Sequence, residues 1–172
     1  MDKATQDTLM SSGDAAGSPN WETPRDFFDK LDLLFGPFEL DAAATAKNSK
    51  CPKHLSARED ALSVPWTTSE YRQAIFCNPP YGRGIDKWIR KAEAEARMQR
   101  RQVFMLLPAR TDAKWFHDIV WARANRLWFV RGRIRFRLPG QTHRNASTFP
   151  SIVVLFDATK EPGADGPRVE VL

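Results

Sequence analysis

An open α/β fold built on one sheet is predicted for this chain, and three observations predict it. The apolar run Ala74-Ile75-Phe76-Cys77 is followed by a loop and then by a helical pattern from Ile85, so strand, loop and helix come in succession. Val103-Phe104-Met105-Leu106-Leu107 is apolar without alternation, as expected of a central parallel strand covered on both faces. Amphipathic stripes flank these strands: Phe27, Phe28, Leu31, Leu34 and Phe35 before them, Trp115, Phe116, Ile119 and Val120 after them.

The 172 residues suffice for one domain with a real core. The net charge of +5 favours polyanionic partners without proving one. Cys51 and Cys77 suggest no disulfide framework, and Cys77 lies inside a strand. No run approaches the roughly 20 apolar residues of a membrane span. A soluble, cytoplasmic protein is the expectation.

Residues 1–19 are rich in Ser, Gly, Ala, Asp and Thr and read as a disordered arm. The domain is expected over 20–157, with a polar tail over 158–172. Trp21-Glu22-Thr23-Pro24-Arg25-Asp26 reads as a helix start, with Thr23 as N-cap and Pro24 in the first helical position. Trp21 either staples that start or walls a ligand pocket. Gly36-Pro37 ends the helix. Phe38-Glu39-Leu40 reads as a strand leading to Asp41-Ala42-Ala43-Ala44, where small residues allow a cofactor close to the backbone. Residues 45–60 are polar and basic and read as a mobile loop. Cys51 and His54 lack a second pair at ligand spacing, so no metal is expected. Asp60 is placed either to accept from the amine of a bound adenine or to cap a helix.

Ile85, Trp88, Ile89 and Ala92 form the buried stripe of a helix running to about Arg100. Its other face, including Lys87, Arg90, Lys91, Glu93, Glu95 and Arg97, reads as solvated. Leu127–Val130 and Ile134–Leu138 read as two strands joined by a tight turn at Arg131-Gly132-Arg133. Arg133, Arg135 and Arg137 share one face of the second strand. With Arg131 they suit phosphates, or they protect a sheet edge from aggregation. Residues 138–148 read as a loop containing His143 and Arg144, and Ser151–Phe156 as the last strand.

The chain is organised around Asn78-Pro79-Pro80-Tyr81, at the carboxyl end of the Ala74–Cys77 strand. Open α/β sheets bind ligands there. Two prolines remove two backbone donors and fix two φ angles. Their carbonyls stay available as acceptors, and Asn78 adds a side-chain oxygen beside them. Tyr81 offers a flat ring at the mouth. A rigid group of acceptors beside a stacking surface suits a planar group carrying an –NH2.

These residues carry a resemblance. Asn-Pro-Pro-Tyr after a strand resembles the signature of amino-methyltransferases that use S-adenosylmethionine. Around it stand Trp-x-Thr-Pro, Phe-Glu-Leu-Asp-Ala-Ala-Ala, Leu-Leu-Pro-Ala-Arg-Thr-Asp and Arg-Gly-Arg-Ile-Arg-Phe. Together they resemble the phage and prophage DNA N6-adenine methyltransferases over about residues 20 to 156. The resemblance implies a Rossmann-like class I methyltransferase fold, mostly parallel with an antiparallel final strand. It implies S-adenosyl-L-methionine as cofactor, with Asp41, Ala42 and Ala43 against its methionine and ribose. Trp21, Thr23 and Pro24 then lie at its methionine end, Asp60 near its adenine, and Asn78 beside it. It further implies double-stranded DNA as partner, with Arg131, Arg133, Arg135, Arg137 and Arg144 as contacts.

The catalytic group expected from this is Asn78, Pro79, Pro80 and Tyr81. The Asn78 oxygen and the Pro79 carbonyl accept the two N–H bonds of an adenine amine, and Tyr81 stacks on the base. A paired amine cannot reach a methyl donor, so the base must be flipped out. Methylation of RNA, or of a protein glutamine, uses the same residues; a catalytically silent DNA-binding module is the reading from another class. The basic face favours nucleic acid, and the intact motif argues for catalysis.

Overall fold

The computed structural model describes residues 21–66, 73–137 and 144–172. The N-terminal arm, His143 and most of the 138–148 segment fall outside these residues. Helix α1 spans Arg25–Phe35. The residue before it is Pro24, in extended conformation, and no side chain caps it. Thr23 therefore stands one residue too early to act as the expected N-cap. Gly36 ends the helix by donating its N–H to Asp32 O at 2.8 Å.

Strands β1 (Phe38–Asp41), β2 (Lys53–His54), β3 (Ala74–Cys77) and β4 (Gln102–Pro108) are mutually parallel where they pair. Helix α2 (Ile85–Gln99) connects β3 to β4. After β4 comes a π-helix, Phe116–Trp121, then β5 (Arg126–Phe129), β6 (Arg135–Arg137), β7 (Arg144–Ala146), β8 (Ser151–Asp157) and β9 (Arg168–Val171). The main sheet has seven strands in the order β2-β1-β3-β4-β8-β5-β9. Within it β8 runs antiparallel to both neighbours, and every other pairing is parallel. The expectation of a mostly parallel sheet with an antiparallel strand holds, but that strand is β8; the final strand, β9, runs parallel to β5.

Every residue from Val103 to Pro108 is buried, so both faces of β4 are covered. Phe28 and Phe35 bring α1 onto the sheet: Phe28 meets Phe38 and Phe76, and Phe35 lies 5.1 Å from Phe104 and 4.6 Å from Trp128, centroid to centroid. Helix α2 packs against β4 and β8, burying Ile85, Ile89, Ala92 and Ala96.

Five local expectations are corrected. Residues 45–60 are not all loop: Lys53–His54 adds a short edge strand to β1, supported by the Lys53–Glu39 ion pair at 2.8 Å. The 127–138 stretch is not a hairpin. β5 joins the main sheet between β8 and β9, while β6 pairs with β7 in a separate two-stranded ribbon. β7 includes Arg144, inside what reads as loop. The segment after Ala158 is not only a tail, because β9 pairs with β5 at the sheet edge. Glu95 also leaves the solvated face of α2. It is buried, paired with Lys91 at 2.6 Å, and accepts the Trp66 backbone N–H at 3.1 Å. The Trp66 N–H and the Lys91 ammonium hold the carboxylate there.

Candidate active site

Strand β3 delivers Asn78 to the carboxyl end of the parallel strands, beside the ends of β1 and the residues preceding α1. Its amide nitrogen donates to Trp21 O at 2.6 Å and to Thr23 Oγ1 at 3.0 Å. A backbone carbonyl only accepts, so the atom facing Trp21 O must be the nitrogen. That fixes the amide's orientation. Its Oδ1 is buried and has no hydrogen-bond partner among the described residues. A buried acceptor left bare costs roughly 1–3 kcal/mol, so the site is built to receive a donor.

Gly82 and Gly84 follow, with φ of 130° and 90°. These left-handed conformations let the chain turn from the motif into α2 with no Cβ in the way. Tyr81 does not lie open at the mouth. It is 6% exposed, its hydroxyl donates to Leu106 O at 3.1 Å, and its ring meets Phe136 and Phe149 edge-on at 6.2 and 5.5 Å. Trp21 packs on the same two rings, at 5.6 and 5.9 Å. Phe136 and Phe149 thus tie the motif to the segment that holds Asn78. The spacing of Ile134 and Phe136 marked a buried face, but nothing in the sequence marked it as the back of the site.

A small open-sided cavity of about 20 Å³ lies here, lined by Trp21, Glu22, Thr23, Asp41, Ala43, Ala44, Asn48, Lys50 and Asn78. Asp41 closes its floor. Its carboxylate takes only long bonds, 3.5 Å from Ala43 N and 3.4 Å from Lys50 N. Burial pushes the carboxyl up to about 6, against those two N–H groups and the nearby Lys50 and His54 charges. Ala42 is buried and donates its N–H to Phe76 O at 2.9 Å, locking β1 to β3 beneath the cavity. Pro24 is buried but does not line it.

Of the residues expected to meet a cofactor, Trp21, Thr23, Asp41, Ala43 and Asn78 come together on this wall. Asp60 does not. It is exposed with φ 48°, and its carboxylate accepts from Ser63 Oγ at 2.6 Å. Ala44, one of the small residues after Asp41, joins that wall, whereas Glu22, Asn48 and Lys50 were missed. The last two sit in a segment whose polarity hid its order: Asn48 Oδ1 accepts from Thr45 N and Oγ1, and Lys50 Nζ donates to Asn48 O.

Arg131, Arg133, Arg135 and Arg137 are exposed, while Ile134 and Phe136 between them are buried. The backbones of Glu22 and Arg137 exchange hydrogen bonds of 2.9 and 3.3 Å, so this arginine row begins next to the site. Among the described residues no cluster of three His, Cys, Asp or Glu side chains could hold a metal. No helix among them is long and apolar enough to cross a membrane.

A parallel sheet broken by one antiparallel strand, with Asn-Pro-Pro-Tyr leaving a central strand toward a carboxylate-floored cavity, is the arrangement of a Rossmann-like methyltransferase. The family profile described as DNA N-6-adenine-methyltransferase (Dam) matches residues 11–167, and the chain belongs to that family. A DNA N-6-adenine-methyltransferase of Escherichia phage T1 is 33% identical over 133 residues, covering 65% of this chain and 54% of the relative. One of Haemophilus phage HP1 (strain HP1c1) is 26% identical over 143 residues, covering 80% of this chain and 78% of the relative. This chain therefore spans about half the length of the T1 relative.

Proposed function

We propose that this protein transfers a methyl group from S-adenosyl-L-methionine to the N6 amine of adenine in double-stranded DNA, acting in the cytoplasm. The observation that carries the reading is the bare, buried Oδ1 of Asn78, beside a nitrogen whose two donors are both engaged. Such an amide presents an acceptor alone. It suits an amine and is unsuited to a carbonyl. Family membership and the printed names of the phage relatives supply the substrate class.

The chemistry of the cavity's lining suits the amino-acid end of the cofactor. A buried carboxylate at Asp41 suits its ammonium or hydroxyl groups, and the small side chains of Ala43 and Ala44 leave room beside them. At about 20 Å³ the cavity is far below the ~300–1,000 Å³ of pockets that enclose a whole drug-sized ligand, so cofactor binding requires its walls to part. The remainder of the cofactor would lie across the open mouth, near Trp21, Asn48 and Lys50. When bound, the cofactor supplies an electrophilic sulfonium methyl.

The adenine amine is a weak nucleophile because its lone pair is delocalised into the ring. Acceptance of one N–H by Asn78 Oδ1 and the other by the Pro79 carbonyl favours a pyramidal nitrogen with its lone pair free. The same oxygens would stabilise the positive charge that develops on nitrogen as the N–C bond forms and the methyl's C–S bond breaks, until one of the two N–H protons is lost to solvent. Oδ1 is shielded from solvent and Tyr81 is buried against Phe136 and Phe149. The flipped base therefore enters only after the covering groups shift, and the same opening uncovers a face of Tyr81 for stacking. Pro79 and Pro80 hold the acceptors rigid meanwhile. The exposed Arg131, Arg133, Arg135 and Arg137, together with Arg144 of β7, are the proposed phosphate contacts.

The test is product identity. Duplex DNA and RNA are incubated in parallel with a labelled cofactor, digested and resolved as nucleosides. The proposal expects label in N6-methyladenine from duplex DNA. Label in a cytosine product, or in RNA with none in DNA, contradicts it.

A further inference from the structure

We infer that Thr23 is a positioning residue for the catalytic amide, acting through Asn78 rather than only walling the cofactor cavity. The inference rests on the reading of Asn78 above and adds what aims it. The Asn78 amide has two donors and both are used locally, on Trp21 O at 2.6 Å and Thr23 Oγ1 at 3.0 Å. Rotation of the amide by half a turn would set its oxygen against the Trp21 carbonyl oxygen, two acceptors at contact distance. The Thr23 hydroxyl, unlike a carbonyl, tolerates either end of an amide. Trp21 O thus forbids the wrong orientation, and Thr23 Oγ1 holds the right one against tilting.

Two features make Thr23 available for this. Pro24 occupies the residue before α1, and no side chain caps that helix, so the Thr23 hydroxyl is released from the capping its sequence position suggests. Thr23 is itself buried, which strengthens the bond and keeps water from substituting for it. The segment that presents both acceptors is also held. The Glu22 backbone bridges to Arg137 of β6, and Trp21 packs on Phe136 and Phe149, the two rings that also flank Tyr81. The residues at 21–23 and the motif at 78–81 share one support. A short sequence ahead of the first helix thereby sets the geometry of a loop more than fifty residues further along, as the separations of 57 and 55 residues show.

The decisive experiment compares wild type, Thr23→Val and Thr23→Ser as full chains. Three quantities are read: cofactor affinity by calorimetry, the single-turnover rate of methyl transfer to duplex DNA, and hydrogen exchange of the Asn78 side-chain amide by NMR. Thr23→Val keeps the shape and removes the acceptor. It should slow transfer about tenfold and speed exchange of the Asn78 amide protons, with any loss of cofactor affinity clearly smaller than the loss of rate. Thr23→Ser should recover both rate and protection. Unchanged amide exchange in Thr23→Val overturns the inference whatever the activity. So does a loss of rate matched by an equal loss of cofactor affinity, which would make Thr23 a cofactor wall only. If wild type methylates no adenine, the functional reading fails, while the exchange measurement still decides what Thr23 holds.

Discussion

Asp41 is a carboxylate whose environment opposes its own charge. Burial raises its carboxyl from an ordinary 3.8 to about 6, with two long N–H contacts as partial compensation. The sign of the linkage follows. Below pH 3.8 the group is protonated in folded and unfolded chains alike, and the folded state keeps its full stability. As pH rises through about 6 the folded state must ionise a buried acid, and that contribution is lost. A gap of this size corresponds to about 3 kcal/mol at neutral pH. Asp41→Asn should therefore raise the thermal midpoint at pH 7.5 and bring little change at pH 4; a lowered midpoint at pH 7.5 would count against a strained carboxylate. A cationic or hydroxyl-bearing ligand favours the ionised form. Cofactor affinity of the wild type should fall about tenfold per pH unit on acidification below 6, and Asp41→Asn should bind weakly with no such slope. Calorimetry across pH 5 to 8 reads both. Asp41 itself was legible, since an acidic residue at a strand end before small residues suits a cofactor. Its companions Asn48 and Lys50 were not, because their role depends on a short edge strand that no periodicity announces.

At the scale of elements, what the sequence revealed follows how each strand is stabilised. β3, β4 and β8 are continuous apolar runs, and their burial is intrinsic to composition. β2 and β9 are polar edge strands held by their neighbours' backbones, so local pattern could not find them. β9 alternates Arg168, Val169, Glu170 and Val171 and is largely exposed, yet Glu170 accepts from Trp128 Nε1 at 3.0 Å and Arg168 N donates to Asn125 O. Removal of residues 168–172 should lower the thermal midpoint and promote aggregation through the uncovered β5 edge, where Phe129 is already partly exposed. Static light scattering beside a melting curve tests this; an unchanged melt would return the segment to the status of a tail. The hairpin at 127–138 failed for a related reason. Alternation identifies a strand and its faces but not its partner, and β6 took β7 and the Glu22 backbone instead of β5. Phe136, fully buried beneath Trp21 and Tyr81, is the pivot of that ribbon. Phe136→Ala should cost about 3–5 kcal/mol and slow methyl transfer as well, measured by denaturant melts and single-turnover rates on the same sample.

Over the whole molecule, charge and geometry converge on one edge of the site. The net charge is +5, and the exposed arginines of β6 lie on a ribbon bridged to the segment that holds Asn78. Replacement of Arg133, Arg135 and Arg137 by Gln should flatten the salt dependence of DNA affinity by about one slope unit per lost phosphate contact, with cofactor binding unmoved. An unchanged slope would assign the row to edge protection. The account as a whole depends on an amide that keeps its nitrogen occupied so that its oxygen alone meets the substrate. Single-turnover methyl transfer by Asn78→Ala, in a sample whose melt and cofactor affinity match wild type, tests this most directly. A loss of about a hundredfold to a thousandfold is predicted; transfer at a rate near wild type would contradict it.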